Sequence, residues 1–128
     1  MNGPVRGLTA RRAVVVGPRD TALQFGSGDV PVFATPQLLA VAEAVCVEAV
    51  APTLTGEQTT VGTRVDFVHS AASPIGMAVE ISAELREVDG RRLVFGFAAH
   101  DKHGTRVASG TLERVLVDRE RFLARLPS

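Results

Sequence analysis

Between Pro36 and roughly Ala51 runs the only stretch of this chain that reads as a long helix, and it has almost no polar face. Leu38, Leu39, Val41, Ala42, Val45, Cys46, Ala49 and Val50 occupy nearly every side of it. A helix that is apolar nearly all round is usually buried. Thr35 is placed to act as N-cap, and Pro36 takes the first helical position, where its missing N–H costs nothing. Pro52 is a natural stop. The rest of the chain therefore has to cover this one helix.

The remaining segments read as strands. Residues 9–16 form a first strand, ended by Gly17-Pro18. Residues 18–34, with Pro18, Gly26, Gly28, Asp29 and Pro31, read as irregular; connections of that length commonly serve as lids or binding loops. From Gln58 onward the apolar period becomes two. Val61, Thr63, Val65, Phe67 and His69 share one face, with Thr60, Arg64 and Asp66 on the other. Val79, Ile81, Ala83 and Leu85 repeat the pattern. Asp89-Gly90 signals a hairpin into Leu93, Phe95, Phe97 and Ala99. A turn at 101–104, a long last strand at 105–117 and a short helix at 118–125 complete the chain.

One buried helix followed by a four-strand antiparallel meander, with one more strand ahead of it, implies an α+β architecture. No second helix of comparable length can cover the sheet, so the sheet must curl around the first. That arrangement is the hotdog fold, and residues 1–128 are expected to form a single domain of it. Such a sheet keeps an open edge strand, so a homodimer is expected, with a dimer of dimers as the next larger assembly.

Charge excludes some partners. Lys plus Arg and Asp plus Glu both total 14, leaving no net field to recruit nucleic acid or an anionic membrane. The run from Leu38 to Val50 is too short to span a bilayer and contains Glu43 and Glu48. The N-terminal MNGPVRGLTARR lacks the apolar stretch of a secretory signal, and the lone Cys46 has no intrachain partner. A cytoplasmic location is expected. No Cys/His spacing suggests a metal site, and no Gly-rich loop suggests a nucleotide phosphate site.

Two polar residues stand in awkward places. Glu43 lies mid-helix, where an ionised carboxylate is costly unless paired; Glu48, near the helix end, reads as solvated. His69 continues the inward parity of its strand and is followed by SAASPIG, and strand ends beside irregular backbone are where sites tend to be built. Capping is a complete structural explanation for Thr35. It lies eight residues before Glu43, about 12 Å along the axis, at a helix N-terminus that favours developing negative charge. Gly62 within a strand suggests close approach of a ligand or backbone. Arg114 reads either as a surface cation or as an anion ligand. His100 and His103 read as solvated turn residues, and Cys46 as core filler, since an apolar mid-helix site raises a thiol's pKa.

Several stretches, taken in order, resemble the fluoroacetyl-CoA thioesterase family, a branch of the hotdog superfamily. They are Glu43-Ala-Val-Cys-Val-Glu-Ala-Val-Ala-Pro52, Thr60-Val-Gly-Thr63, His69-Ser-Ala-Ala-Ser-Pro-Ile-Gly76, Ala83 to Leu93, and Gly110-Thr-Leu-Glu-Arg114, within a similarity from about Val14 to Leu126. The resemblance implies a catalytic set of Thr35, Glu43 and His69. It also implies pocket positions at Gly62 and Arg114, and a lid that offers Phe25 and Phe33 to the substrate. Leu112 replaces a His often seen in the family, and Asp29 stands where the fluoroacetate-specific enzyme has an aromatic residue, so fluoroacetyl selectivity does not follow.

The expected activity is hydrolysis of a small acyl-CoA thioester to carboxylate and CoA, with no cofactor beyond the CoA of the substrate. His69 suits the general base. Glu43 either orients His69, as the acid of a triad does, or attacks as a nucleophile itself. The rival reading is a non-catalytic acyl-CoA-binding or sensor module on the same fold. A third reading, a hotdog hydratase, would need a separate Asp/His pair with a hydratase-like sequence around it, and none is found.

Overall fold

Helix α2 (Thr35–Val50) lies against one face of a five-stranded antiparallel sheet in the computed structural model, which describes residues 3–128. Met1 and Asn2, at the start of the N-terminal segment read above, lie outside the described residues. The strands are β1 (Thr9–Val15), β2 (Gln58–His69), β3 (Ala78–Asp89), β4 (Arg92–Asp101) and β5 (Arg106–Asp118). A four-residue turn of helix, α1 (Ala22–Phe25), interrupts the connection after β1, and α3 (Arg119–Ala124) follows β5. Leu38, Ala42, Val45, Cys46 and Val50 of α2 are fully buried against Ile81, Leu85, Leu93, Phe95 and Leu112 of the sheet. Burying each large side chain of this kind contributes about 1.5–3 kcal/mol before the entropy of ordering it. The curled sheet around one long helix is the hotdog arrangement.

The strand order is β1-β3-β4-β5-β2, not the simple four-strand meander that the order of elements suggests. Only β3, β4 and β5 are joined by hairpins. The eight residues between β2 and β3 are too many for a tight hairpin, and they cross the end of the sheet instead. Their hydrogen bonds trace the path: Ser70 N–H donates to Val107 O at 2.8 Å, Phe33 N–H to Ser73 O at 2.8 Å, and Gly76 N–H to Val16 O at 2.8 Å. The chain thus passes from β5 to the end of β1, leaving β2 as one open edge and β1 as the other.

A second departure lies inside β2. Gly62 pairs with Arg114 and Arg64 with Glu113, so Thr63 is an extra residue in a bulge. A bulge shifts parity by one. Thr60, expected on the outer face, is therefore turned inward and buried together with Gly62's cross-strand neighbour Arg114, at 7% and 8% exposure. Val61 falls on the outer face.

Helix α2 is also less enclosed than its composition implies. It packs chiefly on β3 and β1 and touches β2 little. Ala40 and Val47, on the side away from the sheet, are exposed, because the sheet curls around only one side. Glu48 is exposed as expected and bonds Arg12 of β1. Among the described residues no helix is long and apolar enough to cross a membrane.

Two glycines of the sheet differ in what they make possible. A Cβ on Gly110 would overlap the Asp66 carbonyl oxygen, backbone that cannot swing away without parting β5 from β2. A Cβ on Gly96 would meet only the Arg86 guanidinium, a flexible side chain. Gly110→Ala should destabilise the fold by roughly 2–3 kcal/mol, as overpacking does. Gly96→Ala should cost about 1 kcal/mol or less. Urea unfolding of both variants beside the parent checks the contrast.

Candidate active site

The start of α2 decides where Thr35 points. The residue that caps the helix is Ala34, not Thr35; Thr35 is the first helical residue and makes no side-chain cap. The reason is the entry path: Ala34 N–H bonds Asp20 O at 2.8 Å, and Leu38 N–H bonds Ala34 O at 2.9 Å. Freed from capping, the Thr35 hydroxyl lies 2.7 Å from Nδ1 of His69 at the end of β2. With the ring neutral, Thr35 O–H donates and His69 Nδ1 accepts.

Burial holds the His69 pKa below its ordinary value of 6.5, opposed more weakly by backbone at Ala71. The imidazole is therefore neutral near pH 7 and able to take a proton. Its Nε2 is buried without a hydrogen-bond partner among the described residues. A pocket of about 280 Å³ opens beside the pair, lined by Ala22, Ser27, Val32, Phe33, Thr35, His69 and residues 70–72. Phe33 is 2% exposed and pinned by its bond to Ser73 and its bridge to Thr21. Of the expected lid aromatics, Phe33 forms the wall of this pocket, whereas Phe25 is exposed and does not line it. A larger depression of about 720 Å³ on the outer sheet face, near Arg11, Glu84 and Arg86, has the hydroxyls of Thr9 and Ser82 in its lining but no histidine to activate them. Of the two, only the smaller pocket pairs a hydroxyl with an imidazole.

Glu43 belongs to a separate cluster. Arg114 Nη1 donates to Glu43 Oε2 at 2.8 Å, while its Nε donates to Thr60 Oγ1 at 2.9 Å and Nη2 to Thr60 O at 3.0 Å. The sequence left Arg114 open between surface cation and ligand; it is a buried cation with three acceptors. Gly62 is what lets this happen, because a Cβ there would lie 2.7 Å from Glu43 Oε2. Thr60 is the residue that reading the sequence missed. Its signal was indirect: a glycine marking a bulge, which reverses the parity of everything before it.

Within one chain, then, Thr35 and His69 touch, as do Glu43, Arg114 and Gly62. No hydrogen bond joins Glu43 to His69 among the described residues, and the two clusters are separated by about 12 Å along the axis of α2. Cys46 lies beside the second cluster, fully buried, and desolvation pushes its thiol up to about 12. It is an inert core residue.

The family model described as fluoroacetyl-CoA-specific thioesterase matches residues 16–120. A fluoroacetyl-CoA thioesterase of Streptantibioticus cattleyicolor is 41% identical over 95 residues, covering 74% of this chain and 68% of that protein. A solved fluoroacetyl-CoA thioesterase superposes with a TM-score of 0.87 at 35% identity, over 98% of this chain and 99% of that one. Structures of such an enzyme with fluoroacetate and CoA and with acetyl-CoA are also similar to this chain. A thioesterase superfamily member from Thermus thermophilus gives 0.88 at 26% identity, over 97% and 91% of the two chains. This chain therefore belongs to the fluoroacetyl-CoA-specific thioesterase family of the hotdog superfamily and is an acyl-CoA thioesterase.

Proposed function

We propose that the chain hydrolyses a small acyl-CoA thioester to carboxylate and CoA through Thr35, His69 and Glu43, with Gly62, Arg114 and Phe33 shaping the acyl site. It does so as one cytoplasmic hotdog domain paired into a homodimer. The observation that carries this reading is the 2.7 Å contact between Thr35 Oγ1 and a neutral His69, at the wall of a pocket. Nδ1 of His69 takes the hydroxyl proton as Thr35 Oγ1 attacks the thioester carbonyl carbon. The C–S bond then breaks, and the CoA thiolate leaves with the proton from His69. Water, deprotonated by the same imidazole, cleaves the resulting ester, and Thr35 recovers its proton. N–H groups at the start of α2 face the developing oxyanion. Glu43 supplies negative charge that favours the imidazolium formed in each step. Asp29 in the lid gives no apolar contact for a fluoromethyl group, so a general short acyl substrate is favoured over fluoroacetyl-CoA.

Thiol release should be measured over short, branched and aryl acyl-CoAs. Turnover supports hydrolysis, whereas ligand binding without thiol release would establish the sensor reading. His69→Ala and Glu43→Ala should each lower kcat by about 10²–10⁴ in a folded protein. Thr35→Ala should abolish the burst of thiol that precedes steady turnover; an intact burst would place the acyl intermediate on another side chain, Glu43.

Because His69 works unprotonated and its pKa is depressed, kcat/KM should be level near pH 7 and fall on acidification. The acid limb should have its midpoint below 6.5. A midpoint above that value would remove His69 as the base. In Gly62→Ala, the new methyl meets the end of the Glu43 side chain and, at 3.3 Å, Nη1 of Arg114. Stability should change by about 1 kcal/mol or less, while kcat/KM falls at least about tenfold as the carboxylate is displaced.

A further inference from the structure

Guanidinium and carboxylate groups meet best as a fork, with two parallel N–H···O bonds. The pair inside this fold is not a fork. Arg114 reaches Glu43 through a single bond, Nη1 to Oε2 at 2.8 Å. Thr60 fills the side of the guanidinium made by Nε and Nη2: its Oγ1 accepts from Nε at 2.9 Å, and its carbonyl oxygen accepts from Nη2 at 3.0 Å. Oε1 of Glu43 accepts no hydrogen bond among the described residues. Satisfying a buried guanidinium explains why Thr60 supplies two acceptors. It does not explain why one carboxylate oxygen is left over. A fork would hold the carboxylate more tightly, and the Glu43 side chain is 39% exposed, so solvent already weakens the pair.

Resting on the thioesterase reading above, we propose that Thr60 is a positioning residue: by holding the Nε–Nη2 side of Arg114, it limits the guanidinium to one oxygen of Glu43 and keeps Oε1 free for the reacting groups. Thr60 acts only through Arg114. Without its hydroxyl, Nε has no acceptor, and the guanidinium gains by turning Nη1 and Nη2 onto both carboxylate oxygens. The freedom of Oε1 matters for either role of Glu43. Favouring the imidazolium and attacking the thioester carbon both need an oxygen that is not already engaged.

The bulge and the glycine of β2 complete the device. Thr63 is the extra residue, and it sets Thr60, at 7% exposure, on the inner face beside Arg114. Gly62, next on that face, leaves room for the bond between Nη1 and Oε2; a Cβ there would lie 2.7 Å from the oxygen and 3.3 Å from the nitrogen. One carboxylate oxygen is anchored and the other presented. The backbone of β2 fixes that division, because the carbonyl and the hydroxyl that grip Arg114 belong to one residue of the strand.

Thr60→Val removes the hydroxyl and keeps the shape, whereas Thr60→Ser keeps the hydroxyl and loses the methyl. In Thr60→Val, kcat for thiol release should fall about 10²-fold, the cost of misplacing a reacting group by about 1 Å. KM should stay within about twofold of the parent, and Thr60→Ser should keep kcat within about threefold. Urea unfolding of both variants separates position from stability. A Thr60→Val protein that is less stable but turns over at the parent's kcat when folded would overturn the proposal, and so would a Thr60→Ser protein as slow as Thr60→Val. In a Glu43→Ala background, Thr60→Val should lower the remaining turnover by less than about twofold, because the two residues act as a unit; a second full loss there would also overturn it. The last measurement needs no turnover. In ¹⁵N-labelled protein, the Arg114 Nε–H should exchange with solvent at least about tenfold more slowly in the parent and Thr60→Ser than in Thr60→Val. Equal exchange in all three would refute the grip of Thr60 on Arg114. If the parent protects this proton yet releases no thiol, the hydrolase reading fails while the grip stands.

Discussion

The guanidinium of Arg114 is the point at which helix α2 and the edge strand β2 are tied to the sheet. It comes from β5, is 8% exposed, and bonds both Thr60 of β2 and Glu43 of α2. A buried cation is stable only when its donors are matched, and three acceptors do so here. Losing one partner of a fully buried pair costs about 3–5 kcal/mol; Glu43's side chain is 39% exposed, so solvent reduces its share. The pair is thus more than a staple. It fixes a carboxylate at the one place where α2 approaches β2, and Gly62 leaves room for it.

The same constraint explains why the polar groups fall into two clusters. Thr35 and Glu43 are on one helix but eight residues apart, so no rotamer brings both to one atom of His69. The Thr35–His69 pair depends on different supports: the entry of the chain through Phe33 and Ala34, and the crossing segment after β2. One cluster is a polarised hydroxyl on a neutral imidazole; the other is an ionised carboxylate held by a cation.

Much of this was legible in the chain. The apolar stretch after Pro36 specified a single buried helix, and period-two runs specified the strands, because side chains at those spacings fall on one face whatever surrounds them. Glu43 and His69 stood out as polar groups in apolar settings, and Cys46 as filler, each from local context alone. The ordered stretches quoted above were enough to suggest the family.

What only the tertiary structure decided concerns register and path. A single extra residue, Thr63, reversed the parity of Thr60 and so set it on the inner face beside Arg114, and periodicity cannot register an insertion within a strand. The crossing of residues 70–77 moved β2 to the far edge, since strand order reflects long-range pairing that local propensity does not encode. Thr35 lost its capping role because Ala34 was held by Asp20, a contact fourteen residues back. Composition and period determine which elements form and which face is apolar; hydrogen bonds between distant segments determine which polar atoms meet.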